Sequence, residues 1–205
     1  MVMEETRDTY HTITKPSPET LFKERGSKFF NYAFPVKNED DIKNAIESLK
    51  KKHHTAGHFC YAWQLGQRYE SYRANDDGEP NNSAGMPIYG QLQAFDVTNI
   101  LVVVVRYFGG TKLGVGGLIQ AYKLGAQLAL ESAKIIKRTI NQNFQVKFDY
   151  PEMNAVMRII KDEGLHIVSQ KMELDCLIII SVRLKHADRV FDILHQLHKI
   201  KVKKI

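Results

Sequence analysis

Arg106-Tyr107-Phe108-Gly109-Gly110-Thr111-Lys112-Leu113-Gly114-Val115-Gly116-Gly117 decides how this chain folds. The apolar run at 100–105 comes just before it and reads as a buried strand. The spacing that follows predicts an amphipathic helix over 118–133. Five glycines in nine residues therefore sit at a strand-to-helix junction. Glycine permits φ > 0 and lets another group come close. Peptide N–H groups at a helix start attract anions, and Arg106 and Lys112 add positive charge beside them. The junction suits a phosphate, a carboxylate or another stretch of backbone. Tight turning and close packing alone would call for the same glycines. The string is not a P-loop, since no G-x-x-x-x-G-K-[ST] occurs. It is not a Rossmann fingerprint either, because Gly114-x-Gly116-Gly117 lacks the third spaced glycine.

A second segment carries carboxylates: Ala74-Asn75-Asp76-Asp77-Gly78-Glu79-Pro80-Asn81-Asn82-Ser83-Ala84-Gly85-Met86-Pro87. Asp76, Asp77 and Glu79 can hold Mg²⁺ through oxygen ligands or act as general acid/base groups, with Ser83 close by. The spacing fails the EF-hand pattern, and a turn-forming acidic loop is the bland alternative. This loop could instead fold against Arg106 and Lys112, so that opposite charges satisfy each other. The sequence leaves a structural pairing and a joint binding cleft both open. His53, His54 and His58 cluster nearby; the first two are adjacent and would diverge on a helix, while His58 is placed to face the loop. No metal site or cofactor is expected. There is no H-E-x-x-H, C-x-x-C or G-x-S-x-G. Trp63 and Tyr61 alternate with Cys60 and Ala62, so one pair packs inward and the other either faces solvent or joins a core.

The remaining elements follow from periodicity. Residues 1–27 form a polar, Pro-containing segment. A strand is expected at 28–36, then a helix at 39–51 capped by Asn38, with Ile42, Ala45, Ile46 and Leu49 on one face. Strands follow at 58–65 and 69–74, a polar loop at 75–87, a short helical turn at 88–95 and a strand at 99–105. The pattern changes at 134–141, and a new unit begins. It reads as a strand at 144–148, a helix opened by Pro151 and closed by Gly164, strands at 166–172 and 174–184, a helix at 186–198 and a strand at 200–205. That β-α-β-β-α-β order is the ferredoxin-like split unit. The expected division is 1–137 and 138–205, in an α+β protein.

Composition bounds the function. The 205 residues carry 29 Lys+Arg against 23 Asp+Glu, a formal charge of +6. From residue 138 onward 12 Lys+Arg face 8 Asp+Glu, or +4; the remainder has 17 against 15, or +2. Such a balance permits nucleic-acid or ribosome contact without requiring it. The densest cluster, Lys199-Ile200-Lys201-Val202-Lys203-Lys204, alternates like an edge strand blunted by lysine. No window approaches the ~18 apolar residues of a membrane span. The absence of an N-terminal apolar h-region, with two separated cysteines (Cys60 and Cys176) in apolar segments, gives the expectation of a cytoplasmic protein with buried thiols.

Four strings together resemble the IMPACT/YigZ family, in its two-domain bacterial form. They are His58-Phe59-Cys60-Tyr61-Ala62-Trp63, Asp76-Asp77-Gly78-Glu79-Pro80, Ser83-Ala84-Gly85-Met86-Pro87, and 106–122 from Arg106 through Gly109-Gly110, Leu113-Gly114, Gly116-Gly117-Leu118 and Ala121-Tyr122. The resemblance is strong over roughly 20–135 and weaker beyond. Asn82 departs from it, standing where the family often has glycine. The resemblance implies an N-terminal domain of the ribosomal protein S5 domain 2 type, followed by a ferredoxin-like C-terminal domain similar to one in elongation factor G. The resemblance implies that eukaryotic members regulate translation by engaging a stress-kinase activator; they carry an extra N-terminal domain that this chain is expected to lack, so that partner is not transferred.

Three functions remain. The first is a translation-associated binding protein contacting RNA, the ribosome or a translation factor through Arg106, Gly109, Gly110, Lys112, Gly114, Gly116, Gly117 and the C-terminal lysines. The second is a hydrolase-like enzyme using Asp76, Asp77, Glu79 and Arg106, with His58 and Ser83 auxiliary, on a phosphorylated or peptide-like substrate. In the third, the two segments are a mutual scaffold and function resides on a surface elsewhere.

Overall fold

A computed structural model describes residues 7–197 and 199–205. The chain divides into two compact units, Tyr10–Arg138 and Thr139–Ile205, the latter joined by the described residues before Tyr10. In chain order the first contains β1 (Thr9–Ile13), β2 (Thr20–Glu24), β3 (Ser27–Pro35), α1 (Glu39–Lys52), β4 (His58–Leu65) and β5 (Ser71–Asn75). It continues with α2 (Gly85–Ala94), β6 (Ile100–Tyr107), α3 (Gly114–Ser132) and β7 (Ile135–Thr139). Five strands form one antiparallel sheet in the order β2-β3-β6-β4-β5, and β1 pairs with β7 in a small second sheet.

Central strand β6 explains the unbroken apolar run. Its Val102 and Val104 pack with Tyr122, Ala126 and Leu130 of α3 and Ile88 and Leu92 of α2. Its Leu101, Val103 and Val105 face the other way, into a cluster with Ile42 and Leu49 of α1. Continuous apolar strands are usual in parallel sheets covered on both faces. Here helices cover both faces of an antiparallel sheet, and the same demand on β6 results. Trp63 and Tyr61 join the α1 cluster, while Cys60 and Ala62 join the α2/α3 cluster, so neither aromatic is a free stacking surface.

Several boundaries differ from expectation. The polar segment 1–27 holds β1 and β2; its residues 1–6 lie outside the described residues. Turn 88–95 is a full helix beginning at Gly85, which shortens the polar loop. The break at 134–141 contains β7. Helix α3 starts at Gly114, not 118, so Gly114, Gly116 and Gly117 belong to its first turn. Pattern reading placed them outside because glycine breaks the apolar period.

The second unit contains β8 (Asn141–Asp149), α4 (Met153–Asp162), β9 (His166–Lys171), β10 (Asp175–Arg183), α5 (Ala187–His195) and β11 (Ile200–Lys204). Its antiparallel sheet has the order β11-β8-β10-β9. Pro151 lies in a 3₁₀ turn entering α4, and Gly164, with φ of 60°, leads out of it. Alternate residues of β8 and β10, such as Val146 and Ile178, pack on Val156 and Ile160 of α4 and Val190 and Leu194 of α5. Helix α5 ends at His195, three residues short of the expected end at His198, which lies outside the described residues. Among the described residues no helix is long and apolar enough to cross a membrane.

Candidate functional site

The carboxylate loop and the glycine junction meet on the first unit's sheet. Arg106 lies in β6 itself, not in the junction, and is buried. Its Nη1 donates to Oε1 of Glu79 at 2.6 Å, and both side chains are 5% exposed. The Tyr122 hydroxyl of α3 donates to the same oxygen at 2.7 Å. The Nη2 of Arg106 donates to Ser27 Oγ at 3.3 Å, and that hydroxyl also accepts the Gly109 N–H at 3.2 Å. The guanidinium carbon lies 5.6 Å from the ring centres of both Phe29 and Phe108, within cation–π range. Its Nε has no hydrogen-bond partner among the described residues. One buried ion pair thus ties together the loop, the central strand, α3 and the start of β3.

The other candidate residues of the loop have structural tasks. The Asp76 carboxylate accepts the N–H groups of Asn82, Ala84 and Gly85 at 2.9, 2.9 and 2.8 Å. It caps α2, whose N-cap Ala84 supplies no side-chain acceptor. Asp77 accepts the Phe59 N–H at 2.6 Å, and its carbonyl meets His58 Nδ1 at 2.8 Å. A carbonyl can only accept, so Nδ1 carries the hydrogen. His58 Nε2 then lies 3.9 Å from Glu79 Oε1, too far for a hydrogen bond. Ser83 is fully buried and donates to the Pro80 carbonyl at 2.6 Å. Asn82 has a φ of 60°, a conformation glycine and asparagine reach most readily, so asparagine serves where family members often have glycine. Among the described residues no cluster of three or more His, Cys, Asp or Glu is placed to hold a metal.

Burial disarms the other reactive groups. It pushes the Cys60 thiol up, and its Sγ contacts the Asp76 carbonyl at 2.9 Å. Burial, followed by the neighbouring Cys60 and Glu79, pushes the Tyr122 hydroxyl far up. Neither is a nucleophile at neutral pH.

The glycines divide by role. Gly109 packs against backbone: an added Cβ would lie 1.9 Å from the Gly26 carbonyl carbon. Of the three groups the junction suits, another stretch of backbone occupies this position. Gly110 and Gly114 have φ of 87° and 71°. Gly116 faces open space. Phe108, Lys112 and Val115 are exposed, and the N-terminus of α3 has no side-chain cap. Arg106 therefore does not join Lys112 as an anion donor; Glu79 holds it inside.

Sequence reasoning missed Ser27, and it quoted Tyr122 without a role. Tyr122 sat in a family string, but a polar tip on an apolar helix face gave no partner. Histidines were equally opaque. His53 is buried, with Nε2 2.6 Å from Tyr32 Oη and Nδ1 3.0 Å from Tyr107 Oη. Tyr32 donates to Glu19, which Lys52 also contacts at 2.6 Å. Burial lowers the proton affinity of His53.

A two-unit α+β protein with antiparallel sheets, its loop carboxylate locked to a central-strand arginine, defines the structural class. Residues 25–130 match the Impact N-terminal domain. The chain is 32% identical over 177 residues to an IMPACT family member of Haemophilus influenzae, covering 83% of this chain and 84% of that one. It is 30% identical over 154 residues to IMPACT family member YvyE of Bacillus subtilis, with 75% and 70% covered. It is 32% identical over 147 residues to IMPACT family member YigZ of Escherichia coli, with 70% and 72% covered. The chain belongs to the IMPACT family. A crystal structure of a hypothetical protein shares the fold, with a TM-score of 0.70 at 24% identity, covering 97% of this chain and 98% of that one.

Proposed function

We propose that this is a translation-associated regulatory protein that contacts RNA or the ribosome through the exposed side of 108–117. The carrying observation is the division of labour in that segment. The buried Glu79–Arg106 pair and Ser27 hold it from beneath. Phe108, Lys112, Val115 and the uncapped start of α3 face solvent. The peptide N–H groups of a helix start beside a lysine suit phosphate oxygens. The family's eukaryotic members, whose role the resemblance implies, support the translation assignment. In this reading the first unit is of the ribosomal protein S5 domain 2 type. The second is ferredoxin-like, which its β-α-β-β-α-β order and its sheet order β11-β8-β10-β9 support.

The hydrolase-like alternative would need a carboxylate free to take or give a proton. Asp76 and Asp77 are occupied by backbone N–H groups, and Glu79 by Arg106 and Tyr122. Ribosome co-sedimentation across a salt series tests the proposal. Association at low salt that weakens with salt, and weakens further for Lys112→Glu and Phe108→Ala, is the expected result. No association at any salt would refute it.

A further inference from the structure

The register of the second unit's sheet places lysines across a face, beyond the edge where the sequence suggested them. Lys201 of β11 pairs with Lys147 of β8. Lys147 pairs with Leu177 of β10, and Leu177 with Lys171 of β9. These four form one row spanning all four strands. The next row is Lys203, Gln145, Ile179 and Ser169. Strand residues alternate between faces. Val146, Ile178 and Val202 contribute to the core with α4 and α5, so both rows lie on the opposite, helix-free side. The lysines in these rows are exposed, and Leu177 and Ile179 are half-buried.

We propose that this open sheet face is a binding surface for single-stranded RNA, read through its phosphate backbone. Edge blunting accounts for Lys201 and Lys203 on β11 but not for Lys147, which sits on an interior strand. The row spans about 14 Å at the ~4.8 Å spacing of paired strands. Lys147, Lys171 and Lys201 also ring one depression of about 520 Å³. Asp149, Glu173 and Asp175 line the same depression, and the Asp149–Asp175 pair lies one row beyond Lys147 and Leu177. Lys171 meets Glu173 at 3.1 Å, but both are more than 60% exposed, so the pair is weak and screened. Arg183 is engaged by Asp8 at 2.7 Å and lies outside the proposed surface. The two rows contain no aromatic residue, so bases would not stack there. Binding is therefore sequence-tolerant and strongly salt-dependent. The choice of RNA rests on the translation-associated reading; the surface itself rests on the register.

Fluorescence anisotropy of the full chain with a labelled oligo(U) 12-mer tests this. Each phosphate neutralised on a single strand contributes about −0.7 to the slope of log K against log salt. Lys147, Lys201 and Lys203, which make no ion pair among the described residues, predict a slope of about −2, a loss of roughly 20-fold between 50 and 200 mM salt. Lys147→Gln with Lys201→Gln should bring the slope to about −0.7 without moving the thermal midpoint. Lys112→Glu should leave this slope unchanged, while it weakens ribosome association. No binding at 50 mM salt, or an unchanged slope in the double variant, overturns the sheet surface. Sensitivity to Lys112 alone would leave the first unit's segment standing and remove this one. Oligo(dT) should bind equally, because lysines that read phosphates do not sense the 2′-hydroxyl; a clear preference for either sugar would overturn the phosphate-only reading.

Discussion

Replacing Glu79 by alanine strands a buried cation. Among the described residues Arg106 keeps only Ser27 at 3.3 Å, because its Nε already lacks a partner there. Removing one member of a desolvated ion pair costs about 3–5 kcal/mol, and the Tyr122 hydroxyl loses its acceptor as well. A loss of about 4 kcal/mol is expected for the first unit. For the roughly 130 residues of Tyr10–Arg138 this lowers the thermal midpoint by about 12–16 °C. Glu79→Gln keeps an acceptor for both donors and should cost about half as much. Glu79→Met combined with Arg106→Met removes both charges together and should cost only about 2 kcal/mol, far below the sum of the single changes. Urea denaturation followed through the single tryptophan measures all of them, since Trp63 is buried in this unit's core. A Glu79→Ala cost below ~1 kcal/mol, or a double variant costing as much as both singles together, would show that the pair is not desolvated.

Asp76→Ala should destabilise the first unit by about 2 kcal/mol, the upper range for a helix cap, because three N–H groups lose one acceptor; denaturant midpoints measure it. Gly109→Ala should lower the thermal midpoint sharply through its clash with Gly26 backbone. Gly116→Ala, in open space within the first turn of α3, should be neutral or stabilising by up to ~1 kcal/mol. His53 is neutral when folded because burial lowers its pKa, whereas the unfolded chain binds a proton near 6.5. Its stabilising contribution is therefore full above that pH and is lost as pH falls below it. Urea midpoints at pH 7.5 and 5.5 should differ in that direction, and His53→Gln should reduce the difference.

The strands and helices with strong periodicity were legible from residues alone. The run at 100–105 announced a central strand, and Asn38 announced the start of α1, where its Oδ1 accepts the Asp41 N–H at 2.9 Å. Short strands β1 and β2 were hidden because the apolar residues of 9–24 are few and interrupted by proline. Glycines concealed the first turn of α3. At the site, charge complementarity pointed to a meeting of Glu79 and Arg106, but it could not say whether water or another ligand would share the space. That depended on burial, which Phe29 of β3 and Tyr122 of α3 help to impose. Lys147 escaped notice for a related reason: only strand order places it beside Lys201.

Asp8 binds Arg183 at 2.7 Å, and its carbonyl accepts the Ile140 N–H at 2.7 Å. The second unit is thus discontinuous in the chain: a few early residues complete it after the entire first unit has intervened. During synthesis that closure waits until Arg183 has left the ribosome, so the two units mature in a fixed order. A fragment cut at Thr139 would lack a partner for Arg183 and for the Ile140 amide. Dissecting this protein therefore requires rejoining Asp8 through a designed linker or circular permutation.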